Sequence, residues 1–292
     1  MICVRLMGGL GNQMFQYAFG RSLAAGSGTE LVLDVGWFAT ETRTPPHRRY
    51  SLDCFRLESR TVSLSERQIT AIECATKPPL GSLLAWTVPL LGLPRLRVIR
   101  QQAATYEAAF ASAPDNTLLV GYWQSERYFE PAADVVRRDF TFAGEPPELS
   151  GEILDSAAVG VHVRRGDYAA PGSTHDYHGT LDPGYYDAAI AHVAGRVRVE
   201  RIFVFSDDPE WARRALHFDL PTTHVGEMGY ADWQEMQLLS LCRHQVIANS
   251  SFSWWAAWLN DHPEKIVVAP KRWFSDPAAN SDDLVPPGWH RL

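Results

Sequence analysis

Short apolar segments alternate with helical segments through the second half of the chain, and this alternation constrains the fold most. The apolar runs predict strands at Val159–Val163, Arg201–Ser206, Gln245–Ala248 and Ile266–Ala269. The intervening patterns predict helices near Tyr185–Val193, from Pro209, at Trp233–His244 and at Ser253–Leu259. Such an order is typical of α/β proteins, in which helices cover both faces of a parallel sheet.

The first half opens with a similar unit. Ile2–Met7 is predicted as a strand, the glycine-rich turn Gly8–Gln13 follows, and a helix is predicted from Asn12, as its N-cap, to Ala25. Further strands are predicted at Leu31–Leu33 and Leu118–Trp123, and residues 60–115 are predicted to be mostly helical. Glycine and paired prolines between Thr141 and Ser150 place a domain boundary there, which divides the chain into residues 1–145 and 146–292.

The acidic balance limits the classes of partner. A net charge of −7 argues against a nucleic-acid or anionic-membrane surface, so any affinity for phosphate must come from a local cluster. The N-terminal residues lack the pattern of a secretion signal, and we expect a cytoplasmic protein. The uncharged segment Pro78–Pro94, which arginines follow, packs into a core or makes a weak peripheral contact at the inner membrane face.

Two adjacent arginines, Arg164 and Arg165, follow the predicted strand Val159–Val163, and Gly166 marks where that strand becomes a loop. Open α/β sheets bind ligands at the carboxyl ends of their strands. Guanidinium is planar and permanently charged, and it matches phosphate oxygens two at a time. The pair therefore predicts a phosphate site. The alternative is that both arginines only make ion pairs with Asp167 and other acids.

Polar residues follow two further strands. Ser206, Asp207 and Asp208 end the strand Arg201–Ser206, where an aspartate is able either to accept hydrogen bonds from a guanine or ribose or to cap the next helix. Asn249, Ser250 and Ser251 precede a helix and offer amides and hydroxyls to an anion. The tryptophans at 254, 255 and 258 are predicted to pack in the core.

No pair of acids is well placed to hold a metal, because Asp207 and Asp208 are adjacent and precede a proline. Arginine can neutralise a departing nucleotide diphosphate in place of a divalent cation. The residues therefore favour a transfer reaction that needs no metal and no cofactor.

Five stretches together resemble one known family: GGLGNQMFQYAFG, GYWQSERYF, VHVRRGDY, FVFSDDPEW and EMQLLSLCRHQVIANSSFSWWAAWLN. The chain is similar to the α-1,2-fucosyltransferases of glycosyltransferase family 11. The resemblance implies a GT-B fold, with two Rossmann-like α/β domains facing across a cleft, the first binding the acceptor and the second the GDP-sugar. It also implies inverting, metal-independent transfer of L-fucose from GDP-β-L-fucose to the 2-hydroxyl of a galactoside. The acceptor would be a galactoside or lipid-linked oligosaccharide in surface polysaccharide synthesis, such as that of an O-antigen.

The resemblance also implies roles for individual residues. Arg164 would clamp the β-phosphate with His162 and Arg165 beside it, and Asp207 would hold guanine. The diphosphate site would be lined by Ser250, Ser251 and Phe252, while Asn12 and Gln13 would face the cleft from the other domain.

Removing a proton from the acceptor hydroxyl calls for a general base. Asp167 is the first candidate, although it could serve only to orient the arginines. His175, Asp176 and His178, on the following loop, compete for this role or contact the acceptor. An early departure of GDP would make a base dispensable. Two alternatives stay open: a related donor such as GDP-colitose, and a GDP-sugar-binding protein without catalysis. A dinucleotide-dependent oxidoreductase is disfavoured by the glycine spacing in GGLGNQ.

Overall fold

The chain folds into two α/β units. The structure, a computed structural model, describes residues 1–39, 48–57, 59–76, 96–166, 179–276 and 279–292. Contacts divide it into Met1–Ala143 and Gly144–Leu292. The boundary expected after residue 145 lies two residues further along the chain.

A five-stranded parallel sheet forms the centre of unit 1, in the order β3-β2-β1-β5-β4. Its strands are β1 Ile2–Arg5, β2 Leu31–Asp34, β3 Arg60–Val62, β4 Arg97–Arg100 and β5 Thr117–Val120. The expectation that residues 60–115 are mostly helical was wrong at β3 and β4. Both strands are short, β3 begins with Arg60 and β4 has an arginine at each end, so they carry almost no apolar alternation from which a strand is predicted.

The described helices of unit 1 are α1 Leu10–Ser27, α2 Glu66–Thr76 and α3 Ala133–Asp139. Helix α1 begins earlier than expected because Gly9, in an extended conformation, is its N-cap. Asn12 therefore lies in the first turn and does not cap the helix. At the other end Gly28, with φ of 62°, adopts the left-handed conformation that closes helices and that glycine tolerates best.

A six-stranded parallel sheet forms the centre of unit 2, in the order β11-β10-β9-β6-β7-β8. Its strands are β6 Ala158–Val163, β7 Arg201–Ser206, β8 Thr222–His224, β9 His244–Val246, β10 Val267–Ala269 and β11 His290–Arg291. The central strand β6 is buried along its whole length, which explains its apolar sequence. Sequence patterns missed β8 and β11, which are edge strands of three and two residues.

The described helices of unit 2 are α4 Ser150–Leu154, α5 Pro183–Ala194, α6 Pro209–Ala215, α7 Asp232–Leu241 and α8 Ser251–Leu259. Helix α7 packs closely on β6, because a Cβ atom at Gly160 would lie 2.5 Å from a methyl carbon of Leu239. The expected alternation of strands and helices around parallel sheets is confirmed in both units.

In the part of the chain that the structure describes, no helix combines the length and apolarity needed to cross a bilayer. The segment Pro78–Pro94, for which core packing and a membrane contact were both considered, lies outside the described residues.

Candidate donor site

Three polar clusters lie at one edge of the unit 2 sheet. The strands β6, β7 and β9 are parallel neighbours, so their carboxyl ends meet at this edge. His162 to Arg165 end β6, Ser206 to Asp208 end β7, and Asn249 to Ser251 connect β9 to α8. The structure therefore brings together the candidate residues that the sequence placed after three separate strands.

Arg164 and Asp207 form an ion pair across the ends of β6 and β7. The Arg164 Nη1 atom lies 3.0 Å from Asp207 Oδ2, and both side chains are largely but not fully buried. The second carboxylate oxygen of Asp207 accepts a hydrogen bond of 2.8 Å from the backbone N–H of Arg165. Asp207 therefore fixes both the guanidinium of Arg164 and the loop that carries it.

Gly166 leaves room for the Asp207 carboxylate in this arrangement. A Cβ atom at residue 166 would lie 2.6 Å from Asp207 Oδ2, too close for any side chain unless the carboxylate moves. The glycine after the paired arginines thus permits the Asp207 carboxylate to lie against the backbone of this loop.

Arg165 has partners of its own. Its guanidinium carbon lies 4.0 Å from the centroid of a Trp211 ring, a cation–π contact. Its Nε atom is 3.5 Å from Asp208 Oδ2, close enough for an ion pair but without hydrogen-bond geometry. Asp208 also caps α6, accepting a hydrogen bond of 3.1 Å from Trp211 N–H. Each arginine therefore has an acidic partner, Asp207 for Arg164 and Asp208 for Arg165.

His162 is neutral at the pH at which enzymes ordinarily work. Burial, and secondarily the positive charge of Arg164, lowers the pKa of the imidazole from 6.5 to about 3. The ring stacks on Phe252 with centroids 5.3 Å apart and planes at 30°. Its buried Nδ1 atom has no hydrogen-bond partner among the described residues. The stack joins β6 to the start of α8.

The start of α8 presents the backbone amides of its first turn. Ser250 is the N-cap, and its hydroxyl accepts a 3.3 Å hydrogen bond from the Phe252 N–H. First-turn amides have no acceptor within a helix, and the helix dipole makes this end partly positive. Ser251 and Phe252 are half-buried there. The tryptophans that follow are buried, as predicted.

Glu235 of α7 is an acid that the sequence analysis missed. Burial, and to a smaller extent the nearby carboxylates of Asp232 and Asp207, raises the pKa of its carboxyl from 4.5 to about 7. The residue lies within the stretch EMQLLSLC, which was quoted for its family resemblance, but nothing in the pattern singled out the glutamate.

Asn12 and Gln13 lie in unit 1, after the glycine turn. The Oδ1 atom of Asn12 accepts a hydrogen bond of 2.7 Å from Gln124 Nε2, and both side chains are half-buried. Asn12 is thus positioned at the carboxyl edge of the unit 1 sheet by a partner from the loop after β5.

Gln13, which was expected to face the cleft, is fully buried. Its Nε2 atom donates to the carbonyl oxygens of Gly8 at 3.0 Å and Arg49 at 2.8 Å. Its Oε1 atom accepts from the Ser51 N–H at 2.9 Å. Both amide hydrogens and one acceptor direction of Oε1 are used in joining Gly8 to the segment Arg49–Ser51, so Gln13 is a positioning residue.

Asp167, His175, Asp176 and His178 lie outside the described residues, and their roles as base or acceptor contact stay predictions. Within the ranges that the structure describes, no group of three or more histidine, cysteine or acidic side chains is arranged to hold a metal.

Comparisons with known proteins identify the family and the fold. The sequence profile described as Glycosyl transferase family 11 matches residues 103–292. An Escherichia coli protein named Alpha-1,2-colitosyltransferase is 31% identical over 100% of this chain and 99% of its own length. The Escherichia coli O-antigen biosynthesis glycosyltransferase WbnK is 30% identical over 98% of this chain and 99% of its own.

A bovine relative matches a smaller part. Galactoside 2-alpha-L-fucosyltransferase SEC1 of Bos taurus is 31% identical over 48% of this chain and 41% of its own length. Among solved structures, POFUT1 in complex with GDP-fucose matches with a TM-score of 0.51 and 12% identity, covering 92% of this chain and 97% of that one. This likeness concerns the fold, and it confirms the expected GT-B type of α/β architecture.

Proposed function

The chain belongs to glycosyl transferase family 11, and from this membership we propose that it transfers L-fucose from GDP-β-L-fucose to the 2-hydroxyl of a galactoside. The observation that carries the proposal is the Arg164 guanidinium, held by Asp207 at the carboxyl edge of the unit 2 sheet. Guanidinium has five N–H donors, so an ion pair through Nη1 is compatible with simultaneous contact to a phosphate. The start of α8 supplies a second positive region at the same sheet edge.

In the proposed reaction the acceptor oxygen attacks carbon 1 of fucose from the face opposite the phosphate. The new C1–O bond forms as the bond from C1 to the β-phosphate oxygen breaks, and both electrons of that bond leave with GDP. The β-linked donor thereby gives an α-linked product. The proton of the acceptor hydroxyl passes to a base or to water.

Charge on the departing diphosphate is the main obstacle to this step, and Arg164 is proposed to neutralise it. A fixed cation aimed at the place where charge develops stabilises the transition state without reorganisation. His162 stays uncharged beside it, so it would contribute a hydrogen bond rather than a charge. With the charge of the leaving group met by arginine and helix amides, the reaction is proposed to need no metal.

Asp207 is proposed to hold guanine while it keeps the contacts that it makes in the structure. Both of its oxygens already have partners, Arg164 and the N–H of Arg165. A carboxylate has about four lone-pair directions, so it can accept from guanine as well. Its first role is then to orient Arg164, and its second is to read the base. Asp167 is proposed as the general base, with His175, Asp176 and His178 as its competitors.

A second donor is favoured by a specific observation. The colitosyltransferase relative is similar over the whole chain, whereas the fucosyltransferase relative matches about half of it. Colitose is fucose without its 3-hydroxyl. A site that hydrogen-bonds this hydroxyl rejects the deoxy sugar strongly, whereas an apolar site discriminates weakly. GDP-colitose is therefore the second candidate donor.

The O-antigen relative supports a surface polysaccharide or its lipid-linked oligosaccharide precursor as acceptor. We propose that the reaction takes place in the cytoplasm; a peripheral position at the inner membrane face is the second location proposed.

The test is incubation of the purified protein with GDP-fucose or GDP-colitose and a panel of galactosides, followed by NMR of the product. An α-1,2-linked fucoside is expected. If a product forms only from GDP-colitose, GDP-colitose would replace GDP-fucose as the proposed donor. Tight binding of GDP-sugars without any product would favour the non-catalytic alternative.

A further inference from the structure

The loop Gly121–Gln124, which follows β5 in unit 1, has a strained backbone. Trp123 has φ of 56°, in the left-handed region that bulky residues rarely adopt. Its side chain is fully buried. Strain of this kind costs on the order of 1–3 kcal/mol and persists only where the surroundings enforce it.

Two glutamine side chains hold the loop in this conformation. Gln101 Oε1 accepts hydrogen bonds of 2.9 Å from the N–H groups of both Tyr122 and Trp123. Gln16 Nε2 donates to the Gly121 carbonyl at 3.1 Å, while its Oε1 accepts from Met7 N–H at 2.9 Å. The loop is therefore joined both to the neighbouring strand end and to the turn after β1.

An aromatic cluster supports the loop from inside. The Trp123 ring lies 4.9 Å from Phe19 of α1, 5.4 Å from Phe110 and 5.6 Å from Tyr128, measured between centroids. Rings packed at these distances leave the indole no second position. The left-handed backbone at Trp123 lets this anchor point inward while its neighbour Tyr122 stays at the surface.

Tyr122 is 46% exposed, which makes it one of the few large aromatic side chains at the surface of the described residues. Two residues along the loop, Gln124 makes its hydrogen bond to Asn12. That bond uses one oxygen and one N–H, which leaves the Asn12 amide hydrogens and the Gln124 oxygen beside it. A loop with a fixed backbone thus carries an exposed aromatic side chain two residues from a hydrogen-bonded amide pair.

We propose that this loop is a binding site for a pyranose, with Tyr122 stacking on the apolar face of the ring and the Asn12–Gln124 pair bonding its hydroxyls. Sugars offer one face of C–H groups and a rim of hydroxyls that both donate and accept, which these groups complement. If the protein is the proposed transferase, on which this assignment rests, the site binds the galactose unit of the acceptor. The deoxyhexose of the donor has the same chemistry, and the experiment separates the two.

The experiment compares Tyr122→Leu with Tyr122→Phe in steady-state kinetics, varying lactose and GDP-fucose separately. Leucine removes the ring, so the KM for lactose is expected to rise about tenfold, with the KM for GDP-fucose unchanged. Phenylalanine keeps the ring and is expected to stay within about twofold of wild type. Leu154→Ala, at a surface residue of unit 2 that is 59% exposed, is the control and is expected to change neither KM.

A rise in the KM for GDP-fucose alone would overturn the acceptor assignment in favour of the donor sugar. Unchanged values for both substrates would overturn the site itself. Saturation-transfer NMR of lactose with the GDP-loaded protein measures binding without turnover. A failure of the proposed sugar site is therefore distinguished from a failure of the proposed reaction. A saturation-transfer signal from lactose is expected with wild type and with Tyr122→Phe, and its loss is expected with Tyr122→Leu. Equal signals from all three proteins would contradict the proposal even if no product forms.

Discussion

Asp207 Oδ2 lies 3.0 Å from Arg164 Nη1, and the other oxygen of the same carboxylate accepts a hydrogen bond from the backbone N–H of the next residue, Arg165. One acid therefore holds both the charge and the loop of the proposed phosphate clamp. The pair joins the carboxyl ends of the two most extensively paired strands of unit 2, β6 and β7. The clamp is consequently anchored to the centre of the sheet through both strands.

Replacing Arg164 by alanine is expected to lower turnover at least about a hundredfold, the scale seen when a transition-state donor is removed. Arg164→Lys should restore only part of the lost turnover, because the lysine ammonium is a point charge without the two-pronged geometry of guanidinium. Initial rates at saturating GDP-fucose measure the effect. Arg198→Ala, which removes an arginine that is 85% exposed, should leave the rate unchanged. Near wild-type turnover in Arg164→Ala would exclude the clamp.

Asp207→Asn keeps the shape of the side chain but removes its charge. The KM for GDP-fucose is expected to rise about tenfold, because Arg164 loses its orienting partner. In the Arg164→Ala background the same change should add little, since residues that act as a unit are not additive. A double-mutant cycle measures this coupling, and fully additive effects would show that the two residues act independently.

Metal removal should have no effect on the rate. After treatment with EDTA the enzyme is expected to keep its full activity, because arginine and the amides of α8 are proposed to carry the charge of the leaving diphosphate. Rates before treatment, after it and after re-addition of Mn²⁺ provide the measurement. Activity that disappears and returns with Mn²⁺ would contradict the proposal.

Glu235 should make the folded state less stable as the pH rises. Its pKa is raised from 4.5 to about 7, so the folded state keeps a proton that the unfolded state releases within this window. Stability is therefore lost as the pH increases from 4.5 to 7. Glu235→Gln is expected to exceed wild type by on the order of 2 kcal/mol near pH 8, with almost no difference near pH 4.5. Urea unfolding at both pH values tests it, with the exposed Glu130→Gln as control. Equal stabilities near pH 8 would contradict the raised pKa.

His162 should have the opposite effect on the pH dependence of stability: it makes the folded state less stable as the pH falls. Its pKa is lowered from 6.5 to about 3, so the unfolded state takes up a proton that the folded state refuses. Stability is present above pH 6.5 and is lost as the pH falls toward 3. His162→Phe keeps a ring against Phe252 but cannot titrate. Between about pH 7 and pH 4.5 its free energy of unfolding, measured in urea, should fall by about 2 kcal/mol less than that of wild type. The exposed His217→Gln serves as control, and identical losses in all three proteins would refute the assignment.

The parallel α/β architecture was predictable because β6 and β7 are buried on both faces and therefore read as continuous apolar runs. The grouping of Arg164 with Asp207 was also predictable, since parallel strands bring their carboxyl ends to one edge. Their direct contact was not, because it depends on rotamers and on the space that Gly166 leaves. The burial of Gln13 could not be predicted for a similar reason. Its amide is buried by Arg49–Ser51, a segment distant in sequence whose approach no local pattern reveals.

The most direct test is a crystal structure of the protein soaked with GDP. The diphosphate is expected within hydrogen-bond distance of the Arg164 guanidinium and of the first amides of α8, with the guanine on the side of Asp207. GDP bound elsewhere, with Arg164 making no contact to phosphate, would contradict the proposed donor site.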